Sequence, residues 1–272
     1  MPAWVRIIIT AAAVLSLSCN TPSPSFWEET PAPERSSVAE HVTPIVDDAW
    51  EMLQAANLSL VERQARSAAV RVVRPLEDGH GSGTYMKMHG RFVVITAAHV
   101  VENATTMFID GRDDERVVGV VVYKDPRADL AILVVPKIDS RVAIPFRPKK
   151  KKSNVIGTNV NYTGFPGHHD LLTIRGYVAS LEHGLIVTNM FGWFGASGSG
   201  VYDTRGRFMG VVSGIDVGSW MYPTPLHSIV WVAPAWDLDF VIVETRVKTA
   251  PIPGTLKSFP GAVAPRRGSG RD

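Results

Sequence analysis

The feature of this sequence that most restricts its fold is a succession of a dozen short β-branched segments between residues 68 and 234. Each segment is rich in valine, isoleucine or threonine, and turn-forming residues such as glycine, proline and aspartate separate it from the next. Because no helical segments alternate with them, an antiparallel sandwich or barrel is predicted rather than a parallel α/β sheet. The predicted strands are residues 68–73, 83–88, 91–97, 105–110, 115–124, 130–135, 158–165, 172–181, 184–189, 200–204, 208–216 and 228–234.

The composition is that of a globular protein with a sizeable core. Of the 272 residues, 45% are hydrophobic and 20% are charged, which are ordinary proportions for a folded domain. The formal net charge is only +2, so we expect no general attraction to nucleic acid. The basic run at residues 149–152 is local, and we interpret it as a solvated loop, with an anionic partner as the less favoured alternative.

The N-terminus has the features of an export signal. Arg6 precedes an apolar run at residues 7–17, and small residues follow as far as Cys19, the only cysteine in the chain. This order is typical of a secretory signal, and the run is short for a membrane span. A lone cysteine at the end of such a run resembles a bacterial lipoprotein signal, which implies lipidation of Cys19. We therefore expect an exported protein, periplasmic or anchored to a membrane by its N-terminus, with an ordinary cleaved signal or an uncleaved anchor as alternatives.

Shifts in composition predict five regions. Thr43 followed by proline begins one predicted helix, and Ser59 with Glu62 forms a capping box before a second. The tail is rich in proline, glycine and arginine and is predicted to be disordered. The regions are a signal or anchor at 1–19, a Pro/Ser-rich tether at 20–42, N-terminal helices at 43–66, the β domain at 67–240 and the tail at 241–272.

Three residues in the β region could together perform nucleophilic hydrolysis. His99 ends the strand segment "VVITAAHVV", Asp129 stands directly before an apolar strand in "KDPRADLAIL", and Ser197 lies between glycines in "GASGSG". Each alone is most simply a turn or structural residue. Together they supply a hydroxyl, a base for its proton and a carboxylate to orient that base. Their order, His then Asp then Ser, is that of chymotrypsin rather than of subtilisin or the α/β-hydrolases.

The segments "TAAHV", "DPRADLAIL" and "GASGSGV" resemble the signature segments of the chymotrypsin-fold, trypsin-like serine proteases, nearest to the HtrA (Deg) branch. Further similarity lies in "GSGT" (81–84), "GFPGHHDLLTIRGYVASL" (164–181) and "GVVSGI" (210–215). The resemblance covers about residues 60–240 and implies an all-β fold of two antiparallel six-stranded barrels, with the active site between them and short helices before them. Few residues follow, so we expect no C-terminal PDZ domain.

The resemblance also implies the residues' roles. Ser197 is expected to be the nucleophile, His99 the general base and Asp129 the residue that orients His99, with an acyl-enzyme intermediate. The backbone N–H groups of Gly195 and Ser197 are expected to form the oxyanion hole. The substrate is then a polypeptide, and no cofactor or metal ion is needed. The expected substrate pocket comprises Phe191, Ser213, Gly214 and Ile215, which implies an apolar residue before the cut bond.

One position departs from the family. Residue 196 is alanine, where trypsin-like enzymes have an aspartate that pairs with a newly cut N-terminus and HtrA proteases often have asparagine. Activation by a buried N-terminal ammonium is therefore not expected, and the loop is either preformed or ordered by another group. Ala196 also favours the main alternative, a catalytically silent binding module with this fold. An esterase with the same three residues is a weaker alternative, because its nucleophile normally sits between a strand and a helix.

Overall fold

A computed structural model describes residues 57–75, 79–150, 154–167, 169–219 and 223–253. These residues belong to one compact unit, Glu51–Asp272. The helices in this part of the chain are α1 (Leu60–Ala68), α2 (Ala98–Val101), a 3-10 turn (Ala235–Asp237) and α3 (Phe240–Thr249). The strands are β1 (Ala69–Val73), β2 (His80–Met88), β3 (Arg91–Thr96), β4 (Thr106–Asp110), β5 (Arg116–Asp125), β6 (Leu130–Val134), β7 (Ile144–Pro145), β8 (Asn159–Gly164), β9 (Leu172–Glu182), β10 (Leu185–Thr188), β11 (Gly200–Asp203), β12 (Phe208–Ser219) and β13 (Pro223–Pro234).

The strands form two antiparallel barrels. In the first, the order β1-β4-β5-β6-β3-β2 closes through pairing of β1 with β2, and β7 adds to β2 as a short parallel strand. In the second, β8 to β13 close in the order β10-β13-β12-β11-β8-β9. The expected all-β fold of two six-stranded barrels preceded by a short helix is therefore confirmed.

All twelve predicted strands are present, but the hairpin of β12 and β13 is longer than expected. β12 continues to Ser219 and β13 begins at Pro223, with Val217 opposite Pro225 in the ladder. Proline lacks an N–H donor and is disfavoured inside sheets, so the sequence pattern stops short of this segment. Pairing along the extended hairpin overrides that local preference.

The capping box at the start of α1 forms as expected. Ser59 Oγ accepts a hydrogen bond from the Glu62 N–H at 3.3 Å, and Glu62 Oε2 accepts one from the Ser59 N–H at 2.7 Å. The helix predicted to begin at Thr43 lies outside the described residues. So do the predicted signal at 1–19, with Cys19, and the tether at 20–42.

The expectation of a disordered tail from residue 241 is wrong for its first part, because α3 continues to Thr249. Asp239 caps this helix by accepting the N–H groups of Val241 and Ile242 at 3.1 and 3.0 Å. Its β-branched sequence, FVIVETRVKT, has low helix propensity, and burial of Val243 and Val247 against the first barrel stabilises it instead. The rest of the tail, from residue 254, lies outside the described residues.

The two barrels share part of their hydrophobic core. The cluster that fills the first barrel also contains Tyr202, Phe208, Val211 and Ala233, which come from strands of the second. A smaller cluster fills the second barrel itself. Across the described residues, none of the helices is long and apolar enough to cross a membrane.

Candidate active site

The structure brings His99 and Asp129 into direct contact. His99 lies in α2, just after β3, and Asp129 immediately precedes β6, which pairs with β3. His99 Nδ1 is 3.0 Å from Asp129 Oδ2, and the His99 backbone N–H donates to Asp129 Oδ1 at 3.0 Å. A carboxylate only accepts hydrogen bonds, so Nδ1 carries the proton in this contact. In the neutral ring, Nε2 then keeps its lone pair and can act as a base.

Asp129 has a third donor, from the second barrel. Ser213 Oγ on β12 donates to Asp129 Oδ2 at 2.5 Å. From sequence, Ser213 was expected only as a wall of the substrate cleft. Its contact adds a hydrogen bond to the carboxylate and ties the second barrel to the His99–Asp129 pair of the first.

Arg74 secures the short helix that carries His99, a role that the sequence did not indicate. Its guanidinium donates to the backbone carbonyls of His99 at 3.1 Å and of Val100 at 3.2 Å, and it pairs with Glu102 at 2.7 Å. Carbonyls at a helix end have no partner within the helix. Arg74 therefore binds the carbonyls of the two consecutive peptide units that follow the His99 and Val100 side chains. Arg74 and His99 are 25 positions apart in the chain, so this role of Arg74 is visible only in the folded structure.

Ser197 lies in the loop between β10 and β11, which we call the serine loop (residues 193–199). Gly195 and Gly198 both have φ of +89°, a backbone conformation that favours glycine. A side chain at Gly198 would collide with Ser82 and with Thr96, at the end of β3. The loop backbone is thus pressed against the strand that leads to His99. Within the described residues, no hydrogen bond joins Ser197 Oγ to His99.

Most backbone carbonyls of the serine loop accept hydrogen bonds, whereas four of its N–H groups, those of Trp193, Phe194, Gly195 and Ser197, donate to no protein acceptor within the described residues. In the described part of the chain, the Gly195 and Ser197 N–H groups donate to no protein acceptor, so both are available to a developing oxyanion. Five consecutive carbonyls, in contrast, accept a hydrogen bond each. The donors are Ala196 N–H to Trp193 (3.0 Å), Gly167 N–H to Phe194 (2.6 Å), Ser82 Oγ to Gly195 (2.7 Å), Ser199 N–H to Ala196 (3.0 Å) and Ser82 N–H to Ser197 (2.8 Å).

Of the expected pocket residues, Phe191 lies just before the serine loop, and Ser213, Gly214 and Ile215 lie on β12. The Phe191 side chain is 45% exposed, and its carbonyl accepts a hydrogen bond from Tyr162 OH at 2.7 Å. A Cβ at Gly192 would lie 2.8 Å from Ile215 and 2.7 Å from Val230. Gly192, next to Phe191, is therefore packed closely against β12 and β13. No group of three or more His, Cys, Asp or Glu within the described residues could hold a metal ion.

Comparison with known proteins gives a family match and a fold match. Residues 81–211 match the family model of the trypsin-like peptidase domain. No curated protein matches the sequence. The structure is similar to the crystal structure of the serine endoprotease from Yersinia pestis, with a TM-score of 0.55 and 21% identity over 70% of this chain and 66% of that one. It is also similar to the HtrA-type protease AlgW with tripeptide, with a TM-score of 0.53 and 20% identity over 64% of this chain and 58% of that one. The chain thus spans less than two thirds of either protein, 66% of the first and 58% of the second, and the likeness establishes the fold.

Proposed function

We propose that this chain, which carries a trypsin-like peptidase domain at residues 81–211, is a serine endopeptidase that acts through His99, Asp129 and Ser197. The observation that carries the proposal is the His99–Asp129 contact at 3.0 Å beside a serine loop in which the Gly195 and Ser197 N–H groups have no protein acceptor. A base oriented by a carboxylate and a prepared anion site are the two requirements of acyl transfer by a hydroxyl.

In the first step, Ser197 Oγ attacks the carbonyl carbon of a peptide bond while His99 Nε2 takes the hydroxyl proton. Asp129 accepts from Nδ1 throughout and stabilises the imidazolium that forms. The hydrogen bond from Ser197 to His99 belongs to the substrate complex, because such contacts are often long without substrate and tighten when it binds.

The tetrahedral intermediate carries a negative charge on the former carbonyl oxygen, which the N–H groups of Gly195 and Ser197 bind. Each such donor contributes about 10²–10³-fold to kcat in comparable sites. Collapse of the intermediate breaks the C–N bond, and His99 returns its proton to the leaving amine. Water then hydrolyses the acyl-enzyme by the same steps, with His99 again as the base.

Labelling with a fluorophosphonate probe tests the nucleophile. The full chain is expected to take up one probe per molecule, and Ser197→Ala is expected to lose the label. Ser199→Ala is the matched control, because Ser199 is a buried serine of the same loop whose hydroxyl has no hydrogen-bond partner within the described residues. Label that persists in Ser197→Ala refutes the assignment. A well-folded wild type that takes no label favours the silent binding module.

The contact of Gly192 with Ile215 and Val230 supports a specificity for small apolar residues. A shallow apolar site can bury a methyl or isopropyl group before the cut bond, but it has no depth for an aromatic ring or a lysine. Peptides that differ only at this residue test it. Ala and Val are expected to give the highest kcat/KM, and a preference for Lys or Arg contradicts the proposal.

We also propose that the chain is exported and tethered through lipidated Cys19. The charge, apolar run and cysteine at residues 1–19 support this. Metabolic labelling with a fatty-acid probe in a bacterial host is expected to label wild type in the membrane fraction and not Cys19→Ser. Unprocessed, unlabelled wild type in the cytoplasm contradicts the proposal.

A further inference from the structure

The serine loop needs something other than residue 196 to hold its shape. Ala196 is 1% exposed and packs in the core of the second barrel, so its side chain supplies neither charge nor hydrogen bond. Its neighbours carry the two N–H groups assigned to the oxyanion. A peptide unit can flip at little cost beside a glycine, and a flip of the unit between residues 194 and 195 would aim a carbonyl, rather than an N–H, at the oxyanion.

Ser82 on β2 makes the side-chain contact that fixes this loop. It is fully buried, and its hydroxyl donates to the Gly195 carbonyl at 2.7 Å while accepting the Phe165 N–H at 3.0 Å. Its backbone N–H also donates to the Ser197 carbonyl at 2.8 Å. One residue of the first barrel thus binds the carbonyls on both sides of Ala196.

Through its contact with Phe165, Ser82 also affects the orientation of the Gly195 N–H. Phe165 belongs to the turn after β8, and Gly167 of that turn donates to the Phe194 carbonyl at 2.6 Å. In a trans peptide the C=O and N–H point in opposite directions, so the Gly195 N–H points away from the turn and stays free. His80, also on β2, holds the Phe165 carbonyl at 2.9 Å from its Nε2. The turn is therefore anchored at both the N–H and the carbonyl of Phe165.

We propose that Ser82 is a positioning residue for the oxyanion hole, and that its hydroxyl, with the turn it anchors, orders the serine loop without a charge at residue 196. This inference rests on the proposed function. It assigns to Ser82 an effect on the transition state more than on substrate binding, because the N–H groups it positions contact charge that exists only after attack.

The kinetic test compares Ser82→Ala with Ser199→Ala. Both remove a fully buried serine hydroxyl next to the same backbone, but only the Ser82 hydroxyl donates to a loop carbonyl. The substrate is a peptide with alanine immediately before the cut bond. For this peptide, Ser82→Ala is expected to lower kcat about 10–100-fold, somewhat less than the loss of a whole oxyanion donor. KM is expected to stay within about twofold of the wild-type value. Ser199→Ala is expected to keep the wild-type kcat. An unchanged kcat in Ser82→Ala, or an equal loss in both variants, overturns the proposal.

Amide hydrogen exchange tests the same inference without catalysis, so it separates failure of Ser82 from failure of the protease assignment. In Ser82→Ala, the N–H groups of Phe165 and Ala196 are expected to exchange at least tenfold faster while those of β6 stay protected. In Ser199→Ala their rates are expected to match wild type. Unchanged exchange at both amides overturns the proposal even if the enzyme is inactive. If Ser82→Ala does not fold, Ser82→Cys replaces it, because a thiol keeps the volume and is a weak donor.

Discussion

Asp129 combines an unusual backbone conformation with a dense set of donors. Its φ is +54°, a region that disfavours most residues but that aspartate and asparagine enter at low cost. Its carboxylate accepts from the His99 backbone N–H, the His99 ring and Ser213. Aspartate therefore suits both the backbone, which has a positive φ here, and the candidate site, where a carboxylate accepts three hydrogen bonds. Two substitutions can separate these two roles.

Asp129→Asn is expected to lower kcat by about 10⁴-fold and to leave Tm nearly unchanged. Asparagine tolerates the positive φ, but its amide cannot fix the His99 tautomer or stabilise the imidazolium. Asp129→Ala is expected to lose as much activity and, in addition, about 1 kcal/mol of unfolding free energy, because alanine is strained at this φ. Thermal unfolding and steady-state kinetics of both variants check this. Equal stability of the two would show that the backbone makes no such demand.

Arg74→Gln is expected to lower kcat about 5–10-fold with little change in KM. The variant loses charge-assisted hydrogen bonds to the His99 and Val100 carbonyls, and each such bond contributes about 1.5–3 kcal/mol, part of which holds the imidazole in place. Arg116→Gln is the control, since Arg116 pairs with Asp110 at an exposed position on the first barrel. If both variants lose activity equally, Arg74 does not act through His99.

At this scale, candidate site residues can be predicted from the sequence where their local segments are distinctive. "TAAHV" and "GASGSG" mark His99 and Ser197 because small residues and glycines surround them. Ser82 also lies between glycines, in "GSGT", but this segment does not indicate its partners. Arg74 has no distinctive segment, and the roles of both residues depend on partners brought close by folding. Ser82 and Gly195, for example, are 113 positions apart in the chain. Ser213 was predicted to be a cleft residue, but its bond to Asp129 could not be predicted because it depends on the relative placement of the two barrels.

Among the structural elements, α1 is joined to the second barrel by a buried carboxylate. Glu62 is 2% exposed and forms a two-pronged ion pair with Arg175 on β9. The hydrogen bonds from Arg175, with those from Ser59, lower the pKa of Glu62 to about 2, against the opposing effect of burial. The helix cap and the contact between α1 and the barrel therefore depend on one charge.

Because the pKa of Glu62 is lower in the folded than in the unfolded protein, its contribution is complete above about pH 4.5 and is lost as the pH falls toward 2. Relative to Glu62→Gln, wild type is expected to be about 1–2 kcal/mol more stable at neutral pH, a value reduced from the full shift because Arg175 is exposed to solvent. The difference should vanish near pH 2. Urea unfolding across this range measures it.

Glu244→Gln is the control for that experiment. Glu244 pairs with Lys248 on the exposed face of α3, and Lys248 lowers its pKa, but a solvated pair contributes little to stability. No measurable difference from wild type is expected at any pH. A pH-independent effect of Glu62→Gln would instead assign its role to the neutral part of the capping box.

The contact between β12 and the chain at Gly192 leads to a prediction about specificity. Ile215→Gly removes the side chain that touches Gly192 and is expected to raise kcat/KM for a phenylalanine substrate, relative to an alanine substrate, about tenfold or more, within the range of pocket changes of this size. Val217→Gly, farther along the same strand, controls for the loss of a β-branched residue from β12. A similar change in both variants contradicts the proposed role of Ile215.

Local signals account for most elements. The Ser59–Glu62 capping box predicts the start of α1, and the β-branched runs predict the strands, because the interacting atoms are close in sequence. The short strand β7, only Ile144–Pro145, has no pattern of its own and forms because β2 continues past its pairing with β1, which ends at Thr84. α3 was missed for the opposite reason, because its β-branched residues indicate a strand and tertiary packing makes it a helix.

At the scale of the whole molecule, the candidate site lies where the two barrels meet. Hydrophobic residues of both barrels pack together at the same boundary. Phe208 of the second barrel packs against Phe146, which joins the first barrel's core, with ring centroids 5.9 Å apart. Backbone hydrogen bonds also link Phe208 to Arg147 and Lys149, at 2.9 Å each. Apolar surface buried between two barrels is lost if either unfolds alone, so each stabilises the other.

We therefore expect one cooperative thermal transition for both barrels, with equal calorimetric and van't Hoff enthalpies. Phe208→Leu, at the shared boundary, is expected to cost about 1–2 kcal/mol and to lower Tm by about 2–8 °C without splitting the transition. Val160→Ala, in the core of the second barrel alone, should likewise shift the whole transition. If Val160→Ala instead produced a separate, earlier step, the second barrel would unfold independently, and Ser197 and Ser213 would leave His99 and Asp129 before the first barrel melts. Differential scanning calorimetry, with fluorophosphonate labelling after each temperature step, distinguishes the two cases because labelling requires residues from both barrels.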